Sequence, residues 1–425
     1  MEKKEKNKYS VKSIINKIIL GLAITIFILL LIIFLTTDIN EIKNAFSRIN
    51  IGYLFAAIGL TLLYFALSPI TLCMLTKRKK CDINMLDTYL IGNTEHFFNG
   101  ITPFATGGQP FQVYSFSRLG VKASASTGIL IMNFIIHMFV TNLFALLSLA
   151  IYPKLVTAVG SLLPVVIIGF VMNFLSFAIV ILLATSKKVA NFLVLLLTKL
   201  GKIKFLSKVV NPSIEGFKKY CEDTQSAFKE LFQYKWTALG CFIVRAITMF
   251  VYYAITFYVL RAFNIAVSYT DLFFVICGTS FAITACVFIP TPGGSGGIEF
   301  AFTSIFVFIA SGITKDLGAS GMLLWRILTY YGLMLLSFIF YLILEKRTTK
   351  YEKTIKLANN LQLEQENEMT DTESNSQDSN SDLTNIIDTE NNSLTENLNI
   401  NNIDFAEITV PKEDNQSTIT NDEKQ

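Results

Sequence analysis

Charge is scarce in this chain. Asp, Glu, Lys and Arg make up 16% of its 425 residues, against roughly a quarter in a soluble globular protein, and the deficit argues against a water-soluble fold. Histidine is scarcer still, with only His96 and His137, and the six cysteines (Cys73, Cys81, Cys221, Cys241, Cys277, Cys286) form no C-x-x-C pair. A zinc site needs three or four His or Cys ligands at compact spacing. No metal or other cofactor is therefore expected, and the cysteines read as small packing residues. The phosphate-binding pattern G-x-x-x-x-G-K-[ST] is also absent, which removes a P-loop ATPase from the functions this chain could carry.

What the chain has in abundance is apolar sequence: 52% hydrophobic residues and a mean hydropathy of +0.50. A helix needs about 20 apolar residues to cross a bilayer core of roughly 30 Å. The qualifying or nearly qualifying runs are Ile18–Leu35, Ile51–Leu75, Ala125–Ile151, Leu162–Ala184, Trp236–Leu260, Leu272–Ile289, Ile298–Ala310 (short) and Met322–Leu344. Ile18–Leu35 is long for a signal peptide and lacks a small-x-small cleavage site, so it reads as an uncleaved first span. The expected fold is an all-α integral membrane protein with about eight transmembrane helices, one or two re-entrant hairpins and a disordered C-terminal tail.

The basic residues orient these spans. With the amino terminus inside, 27 Lys and Arg fall in cytoplasmic segments, while outside segments hold only Lys43, Arg48, Lys154, Arg261 and Lys315. That is the positive-inside bias; both termini are expected to be cytoplasmic. The domain reading is a basic N-terminus (1–17), a transmembrane domain (18–346) with amphipathic surface helices at about 187–235, and a tail (347–425). From Leu361 onward, 16 acidic residues face only Lys412 and Lys424, among Asn, Ser and Thr, a composition of disorder.

Two interruptions share one pattern, T-P-x-x-x-G-G. They are Thr102-Pro103-Phe104-Ala105-Thr106-Gly107-Gly108 and Thr291-Pro292-Gly293-Gly294-Ser295-Gly296-Gly297. Proline breaks the helix and paired glycines permit backbone conformations barred to other residues. Unwound backbone at membrane depth is tolerated only where protein buries it or it lines a wet cavity, and matched broken segments in two halves of a chain point to a transporter-like binding site. The first, from about Met85 through Gly120, fits a hairpin that enters and leaves on the cytoplasmic side. The second leaves Leu272–Ala310 open between two spans and a hairpin.

Charged groups in the apolar regions are few, and each should face protein or water. Arg245 and Arg326 interrupt apolar spans and have the planar, bidentate geometry that suits a lipid phosphate. Glu95 and Glu299 each lie beside one broken segment, where they could balance those arginines or hold a cationic head group. Structural Arg–Glu pairing between helices is the equal alternative. His96 and His137 read as packing or hydrogen-bonding residues, and Asp271 as a cap on the helix starting at Leu272.

The stretches Gly92–Ser126 (GNTEHFFNGITPFATGGQPFQVYSFSRLGVKASAS) and Phe288–Phe302 (FIPTPGGSGGIEFAF) resemble the lysylphosphatidylglycerol synthase transmembrane family, the flippase-like membrane region of multiple peptide resistance factors. The resemblance covers roughly Ile18 to Lys346. Its matching positions are Asn99, Pro103, Gly107, Gly108 and Arg118 in the first motif, and Pro290, Pro292, Gly293, Gly294, Gly297 and Glu299 in the second. Gln109 stands where many relatives carry Glu. The resemblance implies a translocase for a phospholipid or lipid-linked substrate, such as lysyl-phosphatidylglycerol, in a bacterial cytoplasmic membrane, contributing to resistance against cationic peptides. Its candidate substrate-binding residues are Arg118, Arg245, Arg326, Glu95 and Glu299, set among the re-entrant positions Asn99, Thr102, Pro103, Gly107, Gly108, Pro290, Thr291, Pro292, Gly293, Gly294, Gly296 and Gly297.

Full-length relatives also carry a cytoplasmic domain that moves lysine from lysyl-tRNA to phosphatidylglycerol. After Glu345 only 80 residues remain, fewer than the roughly 100–150 typical of a domain, so transferase activity is not expected of this chain alone. Phosphatidylglycerol lysyltransferase remains the alternative function, and a non-catalytic membrane partner subunit a third. The expected partners are membrane phospholipid and a separate aminoacyltransferase or other membrane enzyme, with no nucleic-acid binding by this chain.

Overall fold

A computed structural model describes residues 39–102, 105–158, 163–203, 207–286, 297–309 and 314–375. The chain divides into two units, Met1–Ile355 and Lys356–Gln425. Among the described residues the regular structure is helical throughout. In chain order the first unit contains α1 (Ile39–Ser47), α2 (Ile51–Leu67), α3 (Ile70–Arg78), α4 (Met85–Asn93), α5 (Glu95–Gly100) and α6 (Gly108–Arg118). There follow α7 (Ala123–Ile151), α8 (Leu155–Ala158), α9 (Leu163–Thr185), α10 (Lys187–Leu200), α11 (Ser207–Gln233) and α12 (Lys235–Ala262). A 3-10 turn (Tyr269–Asp271) leads into α13 (Leu272–Cys286), then α14 (Gly297–Ile309), α15 (Lys315–Arg326), a π-helical turn (Ile327–Gly332) and residues 333–355 of α16 (Leu333–Asn375). In the second unit, residues 356–375 are helical.

Helix starts follow from local chemistry. Asn50 accepts the Gly52 amide at 3.1 Å to open α2, Asn84 the Leu86 amide at 2.8 Å to open α4, and Ser186 the Val189 amide to open α10. Each side chain satisfies an amide that the first turn leaves without an intrahelical partner. Asp271 closes a capping box: it accepts the backbone N–H of Ser268, which is itself the N-cap residue. The expected cap at Asp271 is thus shared with a serine three residues earlier.

Six helical stretches among the described residues are long and apolar enough to cross a membrane: Ile51–Arg78, Ala123–Ile151, Val166–Thr185, Lys235–Ala262, Tyr269–Cys286 and Leu317–Ile355. The expected span Ile18–Leu35 lies outside the described residues. The expected span Ile298–Ala310 is observed as α14, whose 13 residues reach only about 20 Å, short of a bilayer core of roughly 30 Å. The described residues therefore supply six candidate spans where eight are expected from the whole sequence.

The packing is inverted relative to a water-soluble protein. Large apolar side chains such as Phe55, Ile168 and Leu335 point outward with more than half their surface exposed, an arrangement suited to lipid and hazardous in water. Polar side chains, among them Thr71, Asn93, Thr94, Ser280 and Ser337, lie inside. The apolar interior is built around Phe257, Phe281, Phe302 and Trp325 on one side and Ile91, Phe116, Ile129 and Met132 on the other. Small residues bring backbones together: an added Cβ at Gly169 would collide with the backbone of Ala285, and one at Gly92 would sit 2.5 Å from Pro69, the small-residue contact typical of membrane helices.

The segment from α4 to α6 is a helical hairpin laid along the C-terminal helix. At its base, Arg347 pairs with Asp87. Further along, the Ser337 hydroxyl donates to the Asn93 carbonyl at 2.6 Å and accepts the Phe97 amide at 2.9 Å. At the tip, the Tyr330 hydroxyl donates to the Gly100 carbonyl at 2.6 Å. Helix running from Arg347 back to Tyr330 is about 25 Å long at 1.5 Å per residue. The hairpin tip therefore lies nearly a membrane core's thickness from the charged end of that helix.

Candidate functional site

The tip is shaped by the residues of its motif. The Thr102 hydroxyl donates to the Phe98 carbonyl at 2.8 Å and accepts the Gly107 amide at 2.9 Å. The Asn99 side-chain oxygen accepts the Gly108 amide at 2.8 Å. These bonds satisfy the first amides of α6 from within the hairpin. They also explain the paired glycines: a Cβ at position 107 would lie 2.6 Å from the Phe98 oxygen, and one at 108 would lie 2.7 Å from the Asn99 oxygen and 2.9 Å from Glu95 Cγ. Ala105, between the arms, adopts φ +52°. Pro103 lies outside the described residues.

Beside this tip is a polar cavity of about 150 Å³, lined by Glu95, His96, Asn99, Gln109, Gln112 and Arg245. Tyr64, Asn133 and His137 complete its chemistry. Arg245 comes from the middle of α12 and is 5% exposed. Its guanidinium donates to Thr71 Oγ1 at 2.5 Å and Asn133 Oδ1 at 2.9 Å, while Thr71 donates in turn to Asn133 Oδ1 at 2.8 Å. Its Nε is buried without a hydrogen-bond partner among the described residues. Glu95 accepts from the Asn99 amide at 3.4 Å, with Gln112 also within hydrogen-bonding reach. The His96 ring lies against Tyr64 and Phe65, at 5.5 and 5.9 Å, and its Nε2 has no partner among the described residues. A cation and a carboxyl thus share one cavity, and no ion pair joins them.

Arg326 and Glu299 form a second, separate centre. Arg326 Nε donates to Glu299 Oε1 at 2.8 Å, with the two side chains 4% and 2% exposed. The guanidinium lies 5.9 Å from the Trp325 ring and 5.2 Å from the Tyr330 ring, and Trp325 packs on Phe302 at 4.2 Å. Neither residue lines the Arg245 cavity; Tyr252 stands between the centres, 4.6 Å from Tyr64 and 6.1 Å from Trp325. The π-helical turn begins directly after Arg326, a local widening of the helix frequent at functional positions. Gly297 opens α14 two residues before Glu299. Pro290, Thr291, Pro292, Gly293, Gly294 and Gly296 lie outside the described residues.

Arg118 belongs to neither centre. It closes α6 at the hairpin base, where Nε and one terminal nitrogen bind Glu352 at 2.7 and 3.2 Å and the other binds Glu345 at 2.7 Å. The Glu352 hydrogen bond first, and Glu345 after it, hold its guanidinium protonated beyond even arginine's usual range. Its donors are thus committed to protein carboxylates far from the hairpin tip.

Of the residues predicted from sequence, Glu95, Asn99, Thr102, Gly107, Gly108 and Arg245 come together at one place, and Arg326 with Glu299 at another. Sequence reasoning missed Thr71, Asn133 and Gln112. Asn133 had a signal, since it interrupts the apolar run Ile129–Ile136, and Gln112 lies one helical turn after Gln109. Thr71 had none, because threonine is common in membrane helices.

Compared with known proteins, residues 18–337 match the family described as the lysylphosphatidylglycerol synthase TM region. A search of curated proteins returned no match. The match spans well over half of the chain and includes the hairpin, the cavity and the Arg326–Glu299 pair. The chain belongs to the lysylphosphatidylglycerol synthase TM-region family, a membrane protein related to lysylphosphatidylglycerol synthesis.

Proposed function

We infer that this protein translocates a phospholipid or lipid-linked substrate across the bilayer, with the cavity beside the hairpin tip as the place where the head group is shielded. The observation that carries this reading is the separation of Arg245 from Glu95 within one cavity. A buried cation, Arg245, and a half-buried carboxyl, Glu95, are each costly at membrane depth. A head group bearing phosphate and amine completes both: the phosphate meets Arg245, which Thr71 and Asn133 hold in place, and the amine meets Glu95. Lysyl-phosphatidylglycerol is such a lipid. Transport of this kind in a bacterial cytoplasmic membrane, with basic loops and both termini inside, would lower the negative charge of the outer surface and oppose cationic peptides.

The same reading places α10 and α11 on the cytoplasmic membrane surface, where α10 offers Phe192, Leu195 and Leu196 to lipid and Lys187, Lys188 and Lys199 to anionic head groups. A transferase that aminoacylates the lipid is the partner activity this reading proposes. The test is reconstitution of the full chain in vesicles carrying fluorescent aminoacylated or plain phosphatidylglycerol, followed with a membrane-impermeant quencher. Exchange faster than in empty vesicles is expected for the aminoacylated lipid, and Arg245→Ala should abolish it. Rates equal to empty vesicles for every lipid would end the translocation reading. Incubation with radiolabelled lysyl-tRNA and phosphatidylglycerol tests the transferase alternative, and no labelled lipid is expected.

A further inference from the structure

The cavity holds more titratable chemistry than head-group binding requires. Around one space stand the Glu95 carboxyl, the His96 and His137 imidazoles and the Arg245 guanidinium. Glu95 is in no salt bridge among the described residues, and its polar neighbours on α5 and α6 are the His96 imidazole and the neutral amides Asn99, Gln109 and Gln112. The other elements present Tyr64 from α2, His137 from α7 and Arg245 from α12. The C-terminal segment packs two phenols on α5: Tyr330 against Gly100, and Tyr341 against Phe97 and Phe98. An ionised carboxylate that is only partly exposed, within a cavity at membrane depth and with no cation in contact, is disfavoured, and two events relieve it: a proton binds, or a cationic group arrives.

We propose that Glu95 is a proton site, and that a proton and a cationic head group occupy it in alternation, making this protein a proton–lipid exchanger. The proposal rests on the translocation reading and supplies its driving force. On the loading side the O–H bond of the Glu95 carboxylic acid breaks, the proton passes to water, and the carboxylate accepts an N–H of the incoming ammonium. On the far side a proton from water re-forms the acid and the ammonium leaves. No electrons change hands. One proton crosses in the direction opposite to each cationic head group, while Arg245 keeps its charge and holds the phosphate throughout.

The test uses the full chain in vesicles with a clamped pH gradient, reading the exchange of fluorescent lysyl-phosphatidylglycerol and plain phosphatidylglycerol between leaflets. The aminoacylated lipid should move faster toward the acidic side, by up to roughly tenfold for about one pH unit, since that unit changes the protonated-to-ionised ratio tenfold. A protonophore should erase the difference, and plain phosphatidylglycerol should show none. Glu95→Gln should lose the directional response; if that variant does not fold, the protonophore comparison decides. Exchange of the aminoacylated lipid at equal rates in both gradient directions would overturn the proton proposal and leave translocation standing. If no lipid moves, the proton site is read alone in weakly buffered detergent with a pH-sensitive dye. Proton release on adding a short-chain amine-headed phospholipid, absent with Glu95→Gln, supports it, and no release overturns it.

Discussion

At the scale of single residues, the two buried arginines are held in opposite ways, and substitutions should separate them. Arg326 meets a carboxylate directly at 2.8 Å. Arg326→Ala strands Glu299 without that partner and should lower stability in detergent by about 3–5 kcal/mol, the usual cost of breaking a buried pair from one side. Arg326→Met combined with Glu299→Gln should recover most of the loss in the same thermal unfolding assay. Arg245 is instead held by two neutral oxygens, which position it without cancelling its charge. Asn133→Ala should therefore spare the fold and slow lipid exchange roughly tenfold, the equivalent of about 1.4 kcal/mol. Arg245→Lys should be nearly as poor as Arg245→Ala, because Nη2 alone makes both the Thr71 and Asn133 bonds, and a lysine that took over those bonds would have no second nitrogen of a planar fork to offer a phosphate.

At the scale of elements, the hairpin is pinned at its tip by packing and at its base by charge. Gly108→Ala places a methyl group within 3 Å of both Asn99 and Glu95. It should loosen the tip by about 1–3 kcal/mol, seen as faster maleimide labelling of a cysteine placed at Ala105. The base behaves differently. Arg118 is only partly buried, 15% exposed against Glu345 at 41% and Glu352 at 37%, so solvent screens the cluster. Arg118→Gln should cost about 1 kcal/mol or less, and the difference from wild type should shrink in high salt. Its raised pKa fixes the sign of any alkaline effect. The contribution is fully present below arginine's ordinary pKa and is lost only as pH climbs through the higher folded value, so titration to about pH 10 should leave the base closed.

At the scale of the whole molecule, the outward apolar surface and inward polar residues define which solvent the protein is built for, and the orientation expected from its basic residues is open to a direct test. In a background lacking the six native cysteines, Lys154→Cys should react with an impermeant maleimide on intact cells, and Lys350→Cys only after the cells are opened. The reverse pattern would overturn the proposed orientation. The cavity and the Arg326–Glu299 centre share an aromatic partition, Tyr64–Tyr252–Trp325. Movement of one half of the protein against the other would thus be felt at both centres through packed rings rather than through charge.

Much of this was legible in sequence because membrane immersion is a property of composition. Runs of about 20 apolar residues give helices, and the first T-P-x-x-x-G-G marks where a helix must stop; both are local signals. Glu95, Asn99 and Gly108 lie close in sequence, so their meeting at one hairpin tip was nearly local as well. Partner choice was not. Whether Arg245 or Arg326 took a carboxylate depended on how α3, α7 and α12 cross and how α14 meets α15, and only tertiary packing set Thr71 and Asn133 on the first and Glu299 on the second. Tertiary packing likewise committed Arg118 to Glu345 and Glu352, more than 220 positions away. The sequence alone determined the solvent, the helices and the break at the hairpin tip; the fold decided which buried charge was neutralised and which was left facing a cavity, because that choice rests on distances no sequence spacing encodes.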